Sequence, residues 1–218
     1  MNKRFAIFDM DGTLIDSMGI WNNLGREYLE SKGIYRDMEK DDAEKEIGIV
    51  MKEIAAMTMS ESAEYFRTRF SLPGSAGSIA YEMNGMMDEH YKKDIPLKHG
   101  VKEYLQKLKE SGVRMCVASA TAEPLMVACL ERLGVLSYFD FMLSCESMNT
   151  SKREPEIYLE AARRFQAAPE ETAVYEDVLY AVRTAKHAGF YVVGVYDKES
   201  EGEWTQIWGT ADETIKWS

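Results

Sequence analysis

From Pro96 onward, short apolar runs of the sequence alternate with amphipathic segments of about ten residues. The apolar runs lie at residues 113–118, 139–143, 172–175 and 191–196. The amphipathic segments lie at residues 100–108, 124–133, 155–165 and 178–188. Strands that alternate with helices of this length build βαβ units, which place parallel strands in one sheet between helices. The sequence therefore predicts an α/β fold with a Rossmann-like, three-layer α/β/α core.

The amino terminus supplies one more strand, and a long helical segment follows it. Residues 4–8 are apolar without alternation, which is typical of a parallel strand buried on both faces. From about Ser17 to Ile95, apolar residues recur at helical spacing in four stripes that must pack on one another. We therefore expect an α/β core domain of residues 1–16 and 97–218, interrupted by an inserted α-helical domain of residues 17–96.

The composition limits the classes of partner. The formal net charge of −11 argues against general nucleic-acid binding, because no basic stripe is available to replace the counterions of phosphates. No window approaches the roughly 18 consecutive apolar residues of a membrane span, and Asp9 ends the first apolar run too early for a signal peptide. The three cysteines contain no CxxC pair, which suits free thiols in a reducing compartment. We expect a cytoplasmic protein, with no membrane partner, that is a monomer or a weak dimer.

Polar residues follow the predicted strands at the points where the strands end. Four connections carry them: Asp9 with Asp11, Ser119, Lys152, and Glu176 with Asp177. Ligands of open parallel sheets bind beyond the carboxyl ends of the strands, so we expect these side chains to share one edge of the sheet. Carboxylates from two strand ends form a hard oxygen site that suits Mg²⁺, with phosphate oxygens as further ligands. The sequence thus indicates a magnesium site at this edge of the sheet.

Each of these features has a simpler interpretation when it is taken alone. The Asp-x-Asp-Gly pattern at residues 9–12 also begins calcium-binding loops, although the apolar residues 14–15 do not continue that pattern. Ser119 suits a turn or a helix cap, Lys152 a solvated surface, and the acidic pair 176–177 a cap of the following helix. Their shared order and their placement at one sheet edge favour a common site.

Four motifs together resemble those of the haloacid dehalogenase superfamily. They are FDMDGTLIDS at residues 8–17, VASAT at 117–121, SKREPEIYL at 151–159 and VYEDVLYAVRTAKHAG at 174–189. Arg153 stands where the family has proline, Val178 where it has serine, and Ala181 where glycine is common. The resemblance covers the whole chain and implies the phosphatase-like branch, similar to β-phosphoglucomutase and phosphoglycolate phosphatase, with a helical cap inserted after the first motif.

The resemblance also implies a role for each motif residue. Asp9 would be the nucleophile that forms an aspartyl-phosphate, and Asp11 the acid that protonates the leaving group and then activates water. Mg²⁺ would be held by the Asp9 carboxylate, the Asp11 main-chain carbonyl and Asp177. Glu176 would lie close to the ion. The groups implied to hold the phosphoryl oxygens are Thr13, Ser119, the Ala120 amide and Lys152.

Asp11 and the predicted cap narrow the reaction within this family. An acid at Asp11 points to phosphate esters, because an alkoxide leaving group needs a proton and a halide does not. Hydrolysis is favoured over sugar-phosphate mutation, because Trp21 and Met51 stand where β-phosphoglucomutase carries a histidine and an arginine. We expect both residues to face the substrate, a small phosphorylated metabolite such as a sugar phosphate. A mutase and a non-catalytic binding module are the alternatives.

Overall fold

The structure, a computed structural model, describes residues 3–54 and 57–217. Its strands are β1 (Phe5–Phe8), β2 (Arg114–Ser119), β3 (Phe141–Ser144), β4 (Thr172–Glu176), β5 (Tyr191–Val195) and β6 (Glu213–Ile215). Within the described residues they form one fully parallel sheet in the order β3-β2-β1-β4-β5-β6. The predicted α/β fold with a parallel sheet is confirmed.

The helices lie between these strands and in the segment after β1. In chain order they are α1 (Met18–Ser31), α2 (Lys40–Ile54), α3 (Met59–Arg69), α4 (Ala76–Lys93), α5 (Val101–Glu110), α6 (Glu123–Arg132), α7 (Cys145–Met148), α8 (Glu156–Phe165), α9 (Leu179–His187) and α10 (Trp204–Thr210). None of these described helices is both long enough and apolar enough to span a bilayer.

The chain divides into two compact units. The α/β unit comprises the described residues up to Met18 and from Tyr91 onward, and it contains the whole sheet with α5–α10. The helical unit, Gly19–His90, contains α2, α3 and most of α1 and α4. The last turn of α4, which begins at Tyr91, therefore belongs to the α/β unit. The domain boundaries expected near residues 17 and 96 stay a prediction.

Strand β1 is the centre of the α/β unit. Its last residue, Phe8, pairs with Val117 of β2 on one side and with Tyr175 of β4 on the other. The Asp9 amide continues this ladder by donating to the Tyr175 carbonyl at 3.0 Å. All four residues of β1 are buried, as expected for a central parallel strand. The carboxyl end of β1 consequently lies beside those of β2 and β4.

Helices cover both faces of the sheet. Phe5 and Ile7 of β1 belong to a core cluster that also contains buried residues of α8, α9 and α10. On the opposite face, Phe8 stacks on Tyr175 with ring centroids 4.1 Å apart, and Tyr104 of α5 hydrogen-bonds the Tyr175 hydroxyl at 2.8 Å. Alternate side chains of the same strand thus enter two cores, which is the three-layer arrangement expected from the sequence.

The helical unit buries the apolar stripes that the sequence predicts. Its buried side chains include Leu24, Tyr28 and Leu29 of α1, Ile47 and Val50 of α2, Ala63 and Phe66 of α3, and Met83 and Met87 of α4. Helix α3 begins with a capping box in which Thr58 and Glu61 bond each other's backbone amides. Four helices therefore form where four stripes were predicted.

The sequence pattern predicts no clear strand after residues 191–196, which the structure confirms as β5. The structure adds α10 and an edge strand, β6, whose residues Glu213–Ile215 are exposed or only half-buried. Strand β6 has three residues, one of them charged, and this is too short for the alternation of a strand to be recognised in the sequence. The short helix α7, four residues long, is equally invisible to a 3.6-residue pattern.

Candidate active site

The ends of β1, β2 and β4 bring acidic and polar residues to one edge of the sheet. Asp9 follows β1, Ser119 is the last residue of β2, and Glu176 is the last residue of β4. All three side chains are buried. Burial of a polar group is costly unless the group has a partner, so the contacts at this edge decide what the site can do.

Lys152 is the cation of this buried cluster. Its ammonium donates to Oδ1 of Asp9 and lies 2.8 Å from Oε1 of Glu176. Tyr158 of α8 donates its hydroxyl to the same Glu176 oxygen at 2.7 Å. The Lys152 side chain is only 5% exposed, so it is not a solvated surface lysine. One buried cation is shared between two carboxylates.

Three carboxylates of the cluster fit a hard divalent cation. Asp9, Glu176 and Asp177 each offer a carboxylate oxygen, and these oxygens lie within 4.8 Å of one another. Oε2 of Glu176 and Oδ2 of Asp177 are buried, and neither has a hydrogen-bond partner among the described residues. Gly12 adjoins the second of these oxygens, since a β-carbon built on Gly12 would lie 2.2 Å from it. Clustered carboxylates that include buried oxygens without a protein partner supply hard oxygen ligands of the kind that Mg²⁺ binds.

The pKa values of Asp9, Asp177 and Lys152 are all raised in this buried cluster. Burial raises the pKa of Asp9 well above its ordinary value, although Lys152 acts in the opposite direction. Burial and the neighbouring Glu176 raise the pKa of Asp177 to about 7. Burial alone would lower the pKa of Lys152, but Asp9 and Glu176 raise it above the ordinary value. Lys152 therefore stays charged, whereas Asp9 and Asp177 keep protons at pH values where an ordinary carboxyl has lost them, and a bound cation would displace these protons.

Asp11 lies outside the carboxylate triad and has a different environment. Its Oδ1 accepts hydrogen bonds from Ser17 and from Tyr91, each at 2.7 Å. Its Oδ2 accepts one from Thr121 at 2.7 Å and a longer one from Ser119 at 3.4 Å. Among the described residues, the groups that hydrogen-bond this carboxylate are all hydroxyls, which separates it from the lysine and the acids around Asp9. The two aspartates of the first motif thus lie in different environments.

The predicted phosphate-binding residues occupy the loops around this cluster. Thr13 is fully buried and donates its hydroxyl to Oδ1 of Asp177 at 3.3 Å. The Ser119 hydroxyl accepts from the Thr121 amide at 3.1 Å. Ala120 is exposed directly after β2. The structure therefore brings Thr13, Ser119 and Ala120 to the edge that also carries Lys152.

Trp21 and Met51 belong to the helical unit. Both line a cavity of about 580 Å³ within that unit. The other described lining residues are Asn22, Leu24, Gly25, Ile54, Met57, Met59, Ser62 and Met83. Most of the lining side chains are apolar, four of them methionines, and the lining includes no lysine, arginine or histidine among the described residues. The cavity suits an uncharged ligand group.

Four residues at the site were missed by the sequence analysis: Tyr158, Tyr91, Thr121 and Ser17, the last residue of the first motif. Thr121 lies two residues beyond Ser119 within the second motif, so its hydroxyl was available as a signal. Tyr158 and Tyr91 lie on amphipathic helices, where an aromatic residue at an apolar position indicates core packing and nothing more. Only the folded chain shows that their hydroxyl groups reach carboxylates.

Several proteins with related sequences are named as phosphatases. The sequence profile of the haloacid dehalogenase-like hydrolases matches residues 6–195. The phosphorylated carbohydrates phosphatase of Thermotoga maritima is 28% identical over 204 residues, which cover 91% of this chain and 88% of that protein. Hexitol phosphatase B of Escherichia coli (strain K12) is 26% identical over 200 residues, which cover 91% of this chain and 86% of that protein.

Solved structures share the fold. A Thermotoga maritima protein provisionally named a β-phosphoglucomutase superposes with a TM-score of 0.78 at 24% identity, covering 98% of this chain and 94% of that one. This likeness concerns the fold alone, whereas the profile match spans most of the sequence. The resemblance drawn from the four motifs is confirmed, and the chain is an enzyme: it belongs to the haloacid dehalogenase-like hydrolase family.

Proposed function

We propose that this protein is a Mg²⁺-dependent phosphomonoester hydrolase that acts on a small phosphorylated metabolite through an aspartyl-phosphate intermediate. The observation that carries the proposal is the buried cluster in which Lys152 lies between Asp9 and Glu176, beside Asp177. One ammonium cannot compensate three buried carboxylates, so the cluster favours a second cation. A lysine and a divalent cation together suit the three equatorial oxygens of a transferring phosphoryl group.

The chemistry divides into two displacements at phosphorus. In the first, a carboxylate oxygen of Asp9 forms a bond to phosphorus while the bond to the ester oxygen breaks. The departing oxygen takes a proton from Asp11 and leaves as an alcohol. In the second, Asp11 removes a proton from water, whose oxygen attacks phosphorus and releases inorganic phosphate and free Asp9.

Separate groups would hold the ion and the phosphoryl oxygens. Asp9, Asp177 and the Asp11 main-chain carbonyl would ligate Mg²⁺, with Glu176 beside it. The bound ion supplies positive charge that lowers the repulsion between the phosphoryl oxygens and the nucleophile. The groups that would bind the phosphoryl oxygens are the Lys152 ammonium, the Ser119 and Thr13 hydroxyls and the Ala120 amide.

Sugar phosphates and similar metabolites are the substrates we propose. The names of two relatives, a phosphorylated carbohydrates phosphatase and a hexitol phosphatase, support this class. That Trp21 and Met51 contact the leaving group stays a prediction from the resemblance; both residues line the cavity of the helical unit. A cytoplasmic location and a monomer or weak dimer stay predictions.

A sugar-phosphate mutase is the second candidate, because a structure provisionally named β-phosphoglucomutase shares the fold. A mutase must bind a bisphosphate and therefore needs a second cationic site. Hydrolysis is better supported, because Trp21 and Met51 supply no charge where that enzyme carries a histidine and an arginine. Attack by water requires no second phosphate site.

A panel of phosphorylated metabolites tests the proposal. Phosphate release is measured with Mg²⁺ and with EDTA, for the wild type and for Asp9→Asn. β-Glucose 1-phosphate with its bisphosphate activator is included, and glucose 6-phosphate is measured beside phosphate. Release that requires both Mg²⁺ and Asp9 supports the hydrolase. Conversion to glucose 6-phosphate without phosphate release would indicate the mutase, and binding without turnover a non-catalytic module.

A further inference from the structure

Tyr91 is a buried tyrosine whose hydroxyl contacts the second aspartate of the first motif. It begins the part of α4 that belongs to the α/β unit, and its side chain is 1% exposed. The phenol oxygen lies 2.7 Å from Oδ1 of Asp11 and 3.2 Å from Oγ1 of Thr121. A hydroxyl this well buried restrains its partner more than a solvated one does.

The main chain around Tyr91 is also fixed. Arg132, the last residue of α6, donates from Nε to the Tyr91 carbonyl at 3.1 Å and from a terminal nitrogen to the Ile95 carbonyl at 2.6 Å. Carbonyl groups at the end of a helix lack partners within the helix, so the guanidinium satisfies groups that would otherwise be free to move. The Tyr91 hydroxyl is therefore presented from a pinned backbone.

The contacts of the two Asp11 oxygens are unequal. Each carboxylate oxygen has about two acceptor sites. At Oδ1 the hydroxyls of Ser17 and Tyr91 fill both, each at 2.7 Å. At Oδ2 only Thr121 is equally close, because Ser119 lies at 3.4 Å. A transferable proton is consequently directed to Oδ2, where one acceptor site is only weakly occupied.

We propose that Tyr91 is a positioning residue that orients the Asp11 carboxyl group, so that Oδ2 faces the leaving group and transfers the proton to it. This inference rests on the proposed phosphatase function, in which Asp11 protonates the departing alkoxide. Without the phenol hydroxyl, Oδ1 would retain Ser17 alone, and the carboxyl group would rotate more freely. Proton transfer falls steeply when the donor is misplaced.

The experiment compares Tyr91→Phe with the wild type on an alkyl phosphate and on p-nitrophenyl phosphate. The measured quantity is kcat/KM, because it reports the steps up to the first irreversible one, which include departure of the leaving group. We expect kcat/KM for the alkyl phosphate to fall about tenfold, near the upper end of what the loss of one hydrogen bond to an uncharged group costs. For p-nitrophenyl phosphate, which leaves without needing a proton, we expect less than about a twofold change.

Tyr104→Phe is the matched control, because it removes the hydroxyl that lies 2.8 Å from the Tyr175 hydroxyl in the same unit. It should leave the ratio of the two kcat/KM values unchanged. An equal loss on both substrates with Tyr91→Phe, or no loss on either, would overturn the inference. Arg132→Gln is a second variant that keeps the phenol and loosens its backbone, and it should shift the ratio in the same direction by a smaller factor.

The same measurements distinguish an error in the proposed phosphatase function from an error in the role of Tyr91. If the wild type hydrolyses neither ester, or if Asp9→Asn hydrolyses both as well as the wild type, the phosphatase assignment itself is wrong. If the wild type depends on Asp9 and the ratio does not respond to Tyr91→Phe, only the role of Tyr91 is wrong. Circular dichroism and the melting temperature show whether each variant is folded, so a loss through unfolding is recognised as such.

Discussion

Gly12 leaves room for the carboxylate of Asp177. A β-carbon on Gly12 would lie 2.2 Å from Oδ2 of Asp177, an atom that is buried and has no hydrogen-bond partner among the described residues. Gly12 also has a φ of +76°, a backbone conformation that costs residues with a side chain about 1–2 kcal/mol. The first motif therefore requires glycine at this position for two separate reasons.

Gly12→Ala should weaken Mg²⁺ binding by displacing Asp177. We expect the Mg²⁺ concentration for half-maximal phosphate release to rise by at least about tenfold, the size of effect seen when groups that orient metal ligands are changed. Gly112→Ala is the matched control, because Gly112 has a φ of +78° and no heavy atom near a built β-carbon. Equal Mg²⁺ requirements in the two variants would show that the contact with Asp177 is irrelevant to the metal.

Asp9→Asn should abolish turnover and leave the fold intact. The amide cannot form the aspartyl-phosphate, so kcat should fall by at least about a thousandfold. Asp140→Asn is the control, since Asp140 is an exposed residue whose partner is Arg114 at the other end of β2. Circular dichroism should give the same spectrum for both variants and the wild type. Retained turnover in Asp9→Asn would exclude Asp9 as the nucleophile.

Much of this fold could be predicted because parallel strands and their helices have distinct periodicities. The uninterrupted apolar run of β1 is typical of a buried parallel strand, and the helical stripes of α1–α4 repeat over enough residues to be recognised. Strand β6, Glu213–Ile215, could not be predicted, because its place in the sheet comes from pairing with β5 and not from its own side chains. The tertiary neighbour, rather than local sequence, specifies that strand.

The placement of the charged residues was predictable for a related reason. Because parallel strands end at the same edge, Asp9 and Glu176 could be expected to meet once each was assigned to a strand end. Tyr91 and Tyr158 could not be assigned to the site, because their rings fill apolar positions and their hydroxyl contacts depend on how the helices are rotated. The apolar pattern of a helix predicts which broad face is buried. It does not predict the rotation of the helix closely enough to place one hydroxyl group against a carboxylate.

Lys152→Met should destabilise the protein strongly in the absence of Mg²⁺. The substitution leaves Asp9 and Glu176 buried without their cation, and breaking a buried pair in this way costs about 3–5 kcal/mol. Lys186→Met removes a partly exposed pair with Asp212 in the same unit, which should cost about 0–1 kcal/mol. The measurement is the free energy of unfolding in urea with EDTA present. Similar losses in the two variants would contradict the buried role of Lys152.

Lys152→Met should also respond to Mg²⁺ differently from the control. A bound cation supplies part of the missing positive charge, so added Mg²⁺ should restore stability to this variant. Phosphate release should nevertheless stay at least about a hundredfold below that of the wild type, because a charged contact to the phosphoryl group is lost. Activity equal to that of the wild type at saturating Mg²⁺ would show that the ammonium does not contact the substrate.

Asp177→Asn should change how the stability of the metal-free protein depends on pH. The folded protein raises the pKa of Asp177 to about 7, because the carboxyl is buried near Glu176. Between about pH 4 and pH 7 the folded carboxyl therefore keeps a proton that the unfolded chain has lost. The unfolded state then binds fewer protons, so the free energy of unfolding falls as the pH rises through this window. Asparagine carries no such proton and does not show this fall.

The melting temperature in EDTA at pH 5 and pH 8 measures this effect. We subtract the melting temperature of the wild type from that of Asp177→Asn at each pH. This difference should be more positive at pH 8 than at pH 5, by about 2–4 °C for each kcal/mol of unfolding free energy that the wild type loses. Glu160→Gln is the control, because hydrogen bonds from Arg163 lower the pKa of Glu160 to about 2, and its difference should stay constant over this range. Excess Mg²⁺ at pH 8 should reverse the sign for Asp177→Asn, since the wild type is then stabilised by the ion. If the difference in melting temperature changes with neither pH nor Mg²⁺, Asp177 is not a ligand of the metal.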